Sequence, residues 1–261
     1  MTVEGNRAPA AEESFAAFVM GRPFHYLWGL LADVLIFFYT IVIGPTATVA
    51  VLISRRSRPL DILARGWCKL IVWTCGIRVT VEGLHHVQPG RSCVIISNHL
   101  SNFDIWCTYA CVPMNIRFVA KKELLRIPVF GQALAVSNHI VIDRQNPEEA
   151  IAIINAAAAR SERGICILFY AEGTRSPDGK VHAFKKGGVT LALRTGLPIV
   201  PMSISGTRKF LPKRSAVIRP GGRVKIVLDA PIQTSGLALG DRDELTEQVR
   251  SIVIRNYEEH Y

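Results

Sequence analysis

The chain has 261 residues and a formal net charge of +10, and 49% of its residues are hydrophobic while 20% are charged. This length and composition fit one large folded domain with a small appendage, and they exclude a disordered chain. The positive excess favours an anionic partner, and the sequence holds no zinc-finger spacing, aromatic RNP-type strand or basic zipper. We therefore expect a phospholipid surface or a phosphorylated substrate as the partner, and no nucleic acid.

The N-terminal part of the chain predicts a membrane element. Residues 1–25 are polar and rich in alanine, and we expect their start to be poorly ordered. Residues 26–54 form a long apolar segment, with Asp33 as its only charged residue and Gly44-Pro45 as an interruption. As one straight helix this segment would reach about 44 Å, which exceeds the roughly 30 Å of membrane hydrocarbon.

Three arrangements of the apolar segment stay open at this point. The first two are a bent helical pair that dips into one leaflet, and a tilted span in which Asp33 costs about 3 kcal/mol near the bilayer centre. The third is a buried core helix, although so long a run exceeds ordinary core helices. Arg55, Arg56 and Arg58 follow, and basic residues that flank an apolar segment lie on the cytoplasmic side. The rest of the chain should then face the cytoplasm.

Residues 59–76 predict an amphipathic helix that carries Trp67 and Trp73. The sequence leaves open whether this helix lies on the lipid surface or on the folded domain. Residues 1–76 together therefore predict a tail followed by a helical membrane-associated element, and residues 77–261 predict a separate folded domain.

Short apolar runs alternate with helical stretches throughout that domain. Strands are predicted near residues 78–82, 93–97, 116–120, 139–142, 165–170, 197–203 and 223–228. Helices are predicted near residues 104–112, 121–126, 147–162, 186–195 and 241–257. This alternation predicts an α/β fold with a central, largely parallel sheet, and the continuous apolar strands indicate that helices cover both of its faces.

The cysteines predict no disulfide framework and no zinc site. None of them forms a C-x-x-C pair, and most lie within apolar runs. We therefore expect buried, reduced thiols and a reducing compartment. The residues concerned are Cys68, Cys75, Cys93, Cys107, Cys111 and Cys166.

The stretch VIISNHLSNFD places His99 and Asp104 where an apolar strand ends and a helix begins. Ligand sites in α/β sheets gather beyond the carboxyl ends of strands. A histidine held by a carboxylate has one ring nitrogen fixed as a donor and the other free as a base. With no protein nucleophile nearby, the natural partner is a substrate hydroxyl that attacks an acyl carbonyl. The alternative is structural, with Asp104 or Ser101 capping the helix.

Further charged clusters follow other predicted strands. Lys121 and Lys122 come directly after one strand, and the run Glu172-Gly173-Thr174-Arg175 ends another. A guanidinium beside a glycine can approach a phosphate closely and in a bidentate manner. The alternative for Glu172 and Arg175 is a local salt bridge within a turn.

These motifs together resemble those of the glycerolipid acyltransferases, in particular the 1-acylglycerol-3-phosphate (lysophosphatidic acid) acyltransferase branch. NHLSNFD is similar to the family's N-H-x-S-x-x-D block, and KKEL…IPVFG to its K-x-E-L…P-x-x-G block. VIDR, EGTRS and IVPMSI match three further blocks, in order, so that the resemblance covers about residues 75–215. One departure is Ala171, where the family usually has proline.

The resemblance implies a role for each matching residue. His99 would be the general base and Asp104 its orienting partner. The remaining residues would bind or support the substrate: Lys121 and Arg175 at the acceptor's phosphate, with Lys122 as a substitute, Glu172, Gly173 and Thr174 around the acceptor pocket, Arg144 in support of that pocket, and Asn98 as a brace for the histidine loop.

The resemblance also implies the reaction. A fatty acyl group would move from an acyl-CoA or acyl-carrier-protein thioester to the sn-2 hydroxyl of lysophosphatidic acid, giving phosphatidic acid in phospholipid biosynthesis. No metal or cofactor is implied, and backbone N–H groups would stabilise the oxyanion. Residues 26–76 would supply the family's two-helix membrane element. We therefore expect contact with anionic lipids and an inner-membrane location, with the catalytic domain, residues 77–261, facing the cytoplasm. The alternatives are another lyso-lipid acceptor, such as a lyso-ornithine lipid or lysophospholipid, and a non-catalytic membrane-binding homologue.

Overall fold

The computed structural model describes residues 10–54, 58–88, 90–137, 139–143, 146, 152–153, 156, 164–215 and 217–261. It describes side chains from residue 24 onward, except at residues 54 and 58. Arg144, Arg55, Arg56 and most of the helix predicted over residues 147–162 lie outside the described residues.

A single mixed sheet forms the centre of the described structure. Its strand order is β1-β7-β6-β2-β5-β3-β4, and all neighbouring pairs are parallel except the antiparallel pair β6–β7. Every predicted strand is present, and the predicted largely parallel α/β fold is confirmed. The bounds are β1 Ile77–Glu82, β2 Cys93–Ser97, β3 Asn115–Lys121, β4 Ile140–Ile142, β5 Ile165–Tyr170, β6 Ile199–Ser205 and β7 Gly222–Leu228.

Helices cover both faces of the sheet. In β2, Ile95 points into one buried cluster, whereas Val94 and Ile96 point into the other, because successive side chains of a strand face opposite sides. The described α-helices are α1 Ala10–Ser54, α2 Arg58–Thr74, α3 Phe103–Cys111, α4 Phe130–Val136, α5 Gly187–Thr195 and α6 Arg242–Asn256. Two helix predictions need correction: Lys122–Arg126 is a 3-10 helix, because it turns directly out of β3, and α4 was missed.

Helix α1 differs from the prediction at its start and at the expected interruption. It begins at Ala10, within the polar segment 1–25, and it continues through Gly44-Pro45 without a break. A Cβ on Gly44 would lie 2.6 Å from the Val129 Cγ1 atom. The helix backbone at Gly44 therefore lies close to Val129 of the domain, at the point where the proline predicted a break.

One face of α1 lies on the domain and the other is exposed. The Trp28 Nε1–H group donates to the Thr74 carbonyl oxygen at 2.9 Å, and the Ile218 N–H group donates to the Asp33 carboxylate at 3.5 Å. Asp33 therefore faces protein. The segment Phe24–Ile53 is long and apolar enough to cross a membrane, by length and composition, and only 6% of an apolar 18-residue window within it is buried. The core-helix alternative is therefore wrong.

Helix α2 lies on the folded domain. The Arg65 guanidinium donates to the carbonyl oxygens of Tyr109 and Val112 at 2.8 Å each. The buried Arg117 guanidinium forms a bidentate pair with Asp61 at 2.9 Å for each bond. These contacts fix α2, and those of Trp28 and Asp33 fix α1, against the domain that carries the site.

Candidate active site

His99 and Asp104 meet at the carboxyl end of β2. The His99 Nδ1 atom lies 2.6 Å from the Asp104 Oδ2 atom, the aspartate is fully buried, and 14% of the histidine side chain is exposed. A buried carboxylate accepts, so Nδ1 carries the proton and donates it. The His99 Nε2 atom is then free to accept a proton from another group.

The Asp104 carboxylate is held by donors other than the histidine. Its Oδ2 atom accepts the backbone N–H groups of Leu100 at 2.6 Å and Ser101 at 2.9 Å, and the Thr207 hydroxyl donates to its Oδ1 atom. The N-cap of α3 is Asn102, and no side chain caps the helix. Ser101 makes only a local contact, in which its Oγ atom accepts the Phe103 N–H group at 3.3 Å, so the capping alternative is wrong for both residues, and Asp104 contacts the histidine instead.

Tyr170 packs against the face of the His99 ring. The ring centroids are 4.2 Å apart and the ring planes differ by 17°. Burial raises the pKa of the Tyr170 phenol well above its usual value, so the ring stays neutral. Sequence reasoning missed this residue, and the available signal was an aromatic side chain at the last position of β5, two residues before Glu172.

Glu172 joins two loops through its carboxylate. Its Oε1 atom accepts the His99 N–H group at 2.8 Å, and its Oε2 atom accepts the His182 N–H group at 3.2 Å. Burial raises the pKa of Glu172, and these two N–H groups oppose that rise. The local salt bridge to Arg175 that we considered does not form among the described ion pairs, since both carboxylate oxygens point elsewhere.

The turn after β5 depends on glycine. Gly173 has a φ of +71°, and a Cβ atom at this position would lie 2.7 Å from the Lys185 Cε atom. Any other L-residue would therefore be strained and crowded here. Before it, the Ala171 N–H group donates to the Ser97 carbonyl at 2.9 Å, a bond that the family's usual proline could not form.

Asn98 connects the histidine loop to β6. Its side-chain amide donates to the Ile204 carbonyl oxygen and accepts the Ile204 N–H group, both at 2.9 Å. The residue is fully buried. The strand end before His99 is therefore fixed from both sides, by Asn98 on β6 and by Glu172 after β5.

A cavity of about 370 Å³ opens beside His99. Its wall comes from α1, α2, α3 and α4 and from the C-terminal half of β3, and most of it is apolar. The polar residues of the wall include His99, Asn102, Lys121, Thr174 and Arg175. The apolar ones include Ile43, Leu60, Trp67, Phe118, Phe130 and Leu134. The volume falls in the range of ordinary small-molecule sites.

The predicted cations differ in their surroundings. The Lys121 Nζ atom lies in the wall but also 2.9 Å from the Glu123 carboxylate. Lys122 is not among the wall residues, and its Nζ atom lies 3.9 Å from Asp143. Arg175 lies in the wall and forms no ion pair with any described carboxylate. Arg175 is therefore better placed than either lysine to receive an anion.

His139 lies deep in the molecule, with one side open to the cavity. Burial, followed by the nearby Arg117 charge, lowers the pKa of His139 from 6.5 to about 4. Its Nδ1 atom accepts the Phe118 N–H group at 3.3 Å. The neutral imidazole thus extends the uncharged wall of the cavity.

This lowered pKa predicts a loss of stability in acid. As pH falls from about 6.5 to about 4, the unfolded chain binds a proton at position 139 that the folded chain does not bind. The free energy of unfolding should fall by at most about 3 kcal/mol over this range. Denaturation at several pH values should show that the free energy of unfolding falls less steeply in acid for His139→Asn. The asparagine side chain keeps an acceptor for the Phe118 N–H group. An unchanged slope in His139→Asn, equal to that of the exposed His85→Asn control, would contradict this assignment.

Residues 78–205 match a family model whose description is Acyltransferase. A Caenorhabditis elegans protein named putative 1-acyl-sn-glycerol-3-phosphate acyltransferase acl-2 is 36% identical over 195 residues, which cover 74% of this chain and 67% of that protein. The chain belongs to the acyltransferase family. The predicted resemblance is thereby confirmed.

Other proteins of the acyltransferase family show the same similarity. The 1-acyl-sn-glycerol-3-phosphate acyltransferase of Limnanthes alba is 35% identical over 188 residues, which cover 72% of this chain and 66% of that protein. The chain thus spans slightly less than two thirds of the Limnanthes protein. The crystal structure of the 1-acyl-sn-glycerophosphate (LPA) acyltransferase PlsC from Thermotoga maritima matches with a TM-score of 0.76 at 26% identity, over 89% of this chain and 95% of that one.

Proposed function

We propose that the chain transfers a fatty acyl group from a thioester to the sn-2 hydroxyl of lysophosphatidic acid, giving phosphatidic acid. The observation that carries this proposal is the joint placement of His99, oriented by Asp104, and Arg175, which pairs with no carboxylate among the described residues, in the wall of one largely apolar cavity. The base suits a hydroxyl, the guanidinium suits a phosphate, and the apolar wall suits a hydrocarbon chain. The names of the related proteins support the same acceptor.

The reaction would proceed as a direct transfer. The His99 Nε2 atom takes the proton of the acceptor hydroxyl as its oxygen forms a bond to the thioester carbonyl carbon. The C–S bond then breaks, and the departing thiolate takes the proton from Nε2, so that the products are an ester and a free thiol. Tyr170 and Asp104 keep the ring in place throughout, because they contact its face and its other nitrogen.

The cysteine in the cavity wall does not suit a covalent route. Burial raises the pKa of the Cys68 thiol far above its usual value, and the thiol rather than the thiolate is then present. Because a thiol is a poor nucleophile, an acyl-cysteine intermediate is disfavoured. The scheme needs no metal or cofactor, and either coenzyme A or acyl carrier protein would serve as the thioester carrier.

The exposed apolar face of α1 supports a membrane location for this reaction. Phe37 and Leu27 are 67% and 66% exposed, respectively, and further large apolar side chains lie along the same helix. An exposed apolar surface of this length is typical of contact with lipid. We propose that this helix attaches the chain to the cytoplasmic face of the inner membrane, where a lyso-lipid can enter the cavity directly.

A panel of acceptors tests the proposal. Purified full-length protein would be assayed with lysophosphatidate, a lyso-ornithine lipid and zwitterionic lysophospholipids, each with acyl-CoA and with acyl carrier protein. We expect the highest kcat/KM for lysophosphatidate. If another acceptor is turned over faster, that lipid is the substrate instead of lysophosphatidate. If no acceptor is turned over, the protein is a non-catalytic homologue.

Replacing Arg175 by alanine should weaken acceptor binding. One charge-assisted hydrogen bond contributes about 1.5–3 kcal/mol, so the KM for lysophosphatidate should rise roughly 10- to 150-fold. The KM for the acyl donor should change much less. Arg194→Ala removes the same charge from an exposed position on α5 and should leave both constants unchanged. Equal increases in both KM values for Arg175→Ala would contradict a role at the acceptor.

A further inference from the structure

The loop between β6 and β7 carries a cluster of positive charge beside the site. This loop, residues 206–221, follows the last motif on which the family resemblance rests. It touches both the site and the membrane helix, since the Thr207 hydroxyl donates to Asp104 and the Ile218 N–H group donates to Asp33. Its basic residues are Arg208, Lys209, Lys213, Arg214 and Arg219.

Lys213 is the basic residue of this loop that reaches the EGTR turn. Its Nζ atom donates to the Thr174 Oγ1 atom at 3.0 Å, and the residue is half-buried. Thr174 and the adjacent Arg175 both lie in the cavity wall with His99. The ammonium group of Lys213 therefore lies beside Thr174, the wall residue next to Arg175 in the chain, although Lys213 is not itself among the wall residues.

The loop holds Lys213 in a fixed position. On one side, the Ser101 hydroxyl donates to the Leu211 carbonyl oxygen at 2.8 Å, and on the other the Ser215 N–H group donates to the Pro212 carbonyl oxygen at 3.0 Å. Ser101 is fully buried and belongs to the histidine loop. The first bond ties the loop to the site and the second closes a turn around Lys213, so the backbone of the lysine is positioned before any ligand arrives, and less entropy is lost on binding.

Lys213 and Arg175 also keep their charges uncompensated. Neither forms an ion pair with a carboxylate in the part of the chain that the structure describes, in contrast to Lys121, which pairs with Glu123 at 2.9 Å. Glu172 and Asp178 each lie three residues from Arg175 along the chain, but Glu172 accepts two backbone N–H groups and Asp178 pairs with His182. An ammonium group has three N–H donors, and only one of those on Lys213 is used by Thr174.

We propose that Lys213 binds the phosphate of the acceptor together with Arg175, as a substrate-binding residue outside the family's motifs. The inference rests on the proposed function, because a phosphate-bearing acceptor is what gives these two cations a shared ligand. A phosphate monoester carries up to two negative charges and three acceptor oxygens, which matches one guanidinium and one ammonium. Thr174 positions the ammonium, and Lys121 is partly neutralised before the acceptor binds.

Lys213→Met tests this assignment, because it keeps much of the side-chain volume and removes the charge. We expect the KM for lysophosphatidate to rise about tenfold, as for the loss of one charge-assisted hydrogen bond. The KM for the acyl donor and the kcat for 1-acylglycerol, an acceptor without phosphate, should stay near their wild-type values. Lys213→Arg should recover most of the affinity. Arg219→Gln removes one charge from an exposed position of the same loop and should behave as wild type.

A binding experiment separates this inference from the proposed reaction. Calorimetric titration of the full-length protein with sn-glycerol 3-phosphate should give a Kd about tenfold higher for Lys213→Met than for wild type. If the wild type binds this probe in the same way but does not acylate lysophosphatidate, the proposed reaction fails while the phosphate site stands. Wild-type KM and Kd values in Lys213→Met would overturn the site, as would a rise confined to the donor KM, which would place the lysine at the donor. The double variant Arg175→Ala, Lys213→Met should show a smaller fold-increase in Kd than the product of the increases of the two single variants. The reason is that both side chains hold one phosphate.

Discussion

Replacing Asp104 by asparagine is expected to lower kcat by about three to four orders of magnitude, as loss of the carboxylate does in other His–Asp pairs. The carboxylate accepts from His99, from two backbone N–H groups and from the Thr207 hydroxyl. An amide has one oxygen for these donors and presents an NH₂ group on its other side. The imidazole would therefore turn its unprotonated nitrogen towards the amide and leave the proton on Nε2, where a base is needed.

Steady-state kinetics of Asp104→Asn would measure this loss. The KM for lysophosphatidate should change little, because Asp104 is buried and does not line the cavity. Asp243→Asn, an exposed change at the start of α6, is the matched control and should retain wild-type kcat. A kcat within a factor of about three of wild type for Asp104→Asn would exclude the tautomer argument.

The second large effect is expected for His99→Ala, with kcat reduced about 10²- to 10⁴-fold, the usual contribution of a general base. Arg175 and the apolar wall stay in place, so the KM values should remain close to wild type. His85→Ala removes an exposed imidazole that lies outside the cavity wall and should have no effect. If His99→Ala reduced both substrate affinities and left kcat unchanged, His99 would be a binding residue rather than the base.

The strands and the His–Asp pair could be predicted because their signals are local. Each strand is a short apolar run with a clear end, and the pair lies at one such end with a spacing that brings His99 to Asp104 across a single turn. Because most strands are parallel, the charged runs that follow them lie together at the carboxyl ends of the strands. Arg175 and Lys121 could be placed near these strand ends for the same reason.

The residues that sequence reasoning missed act across long separations in the chain. Thr207 reaches Asp104 from the end of β6, and Lys213 reaches Thr174 from the following loop. Hydroxyl and ammonium groups of this kind occur in every surface loop, so that only the tertiary structure distinguishes them. In the sequence, Tyr170 cannot be distinguished from any other strand residue, and its contact with the His99 ring is visible only in the structure.

The N-terminal helix shows a different kind of error. A glycine–proline pair in an apolar segment predicts a break, because proline lacks the N–H group that the helix needs. The prediction of a break considered the helix alone, whereas Gly44 packs against Val129 on the domain. Likewise, the cost expected for Asp33 in lipid does not arise on this face, since the Ile218 N–H group faces the carboxylate. In both places the helix contacts the domain at the residue on which the expectation rested.

Direct observation of both products tests the central claim that one imidazole passes a proton from a lipid alcohol to a departing thiolate. Full-length protein would be mixed with lysophosphatidate and an acyl thioester, and phosphatidate and free thiol would be quantified over the same time course. We predict equal amounts of the two products for wild type and neither above background for His99→Ala. Thiol release without phosphatidate, or equal phosphatidate formation by the two proteins, would contradict the mechanism.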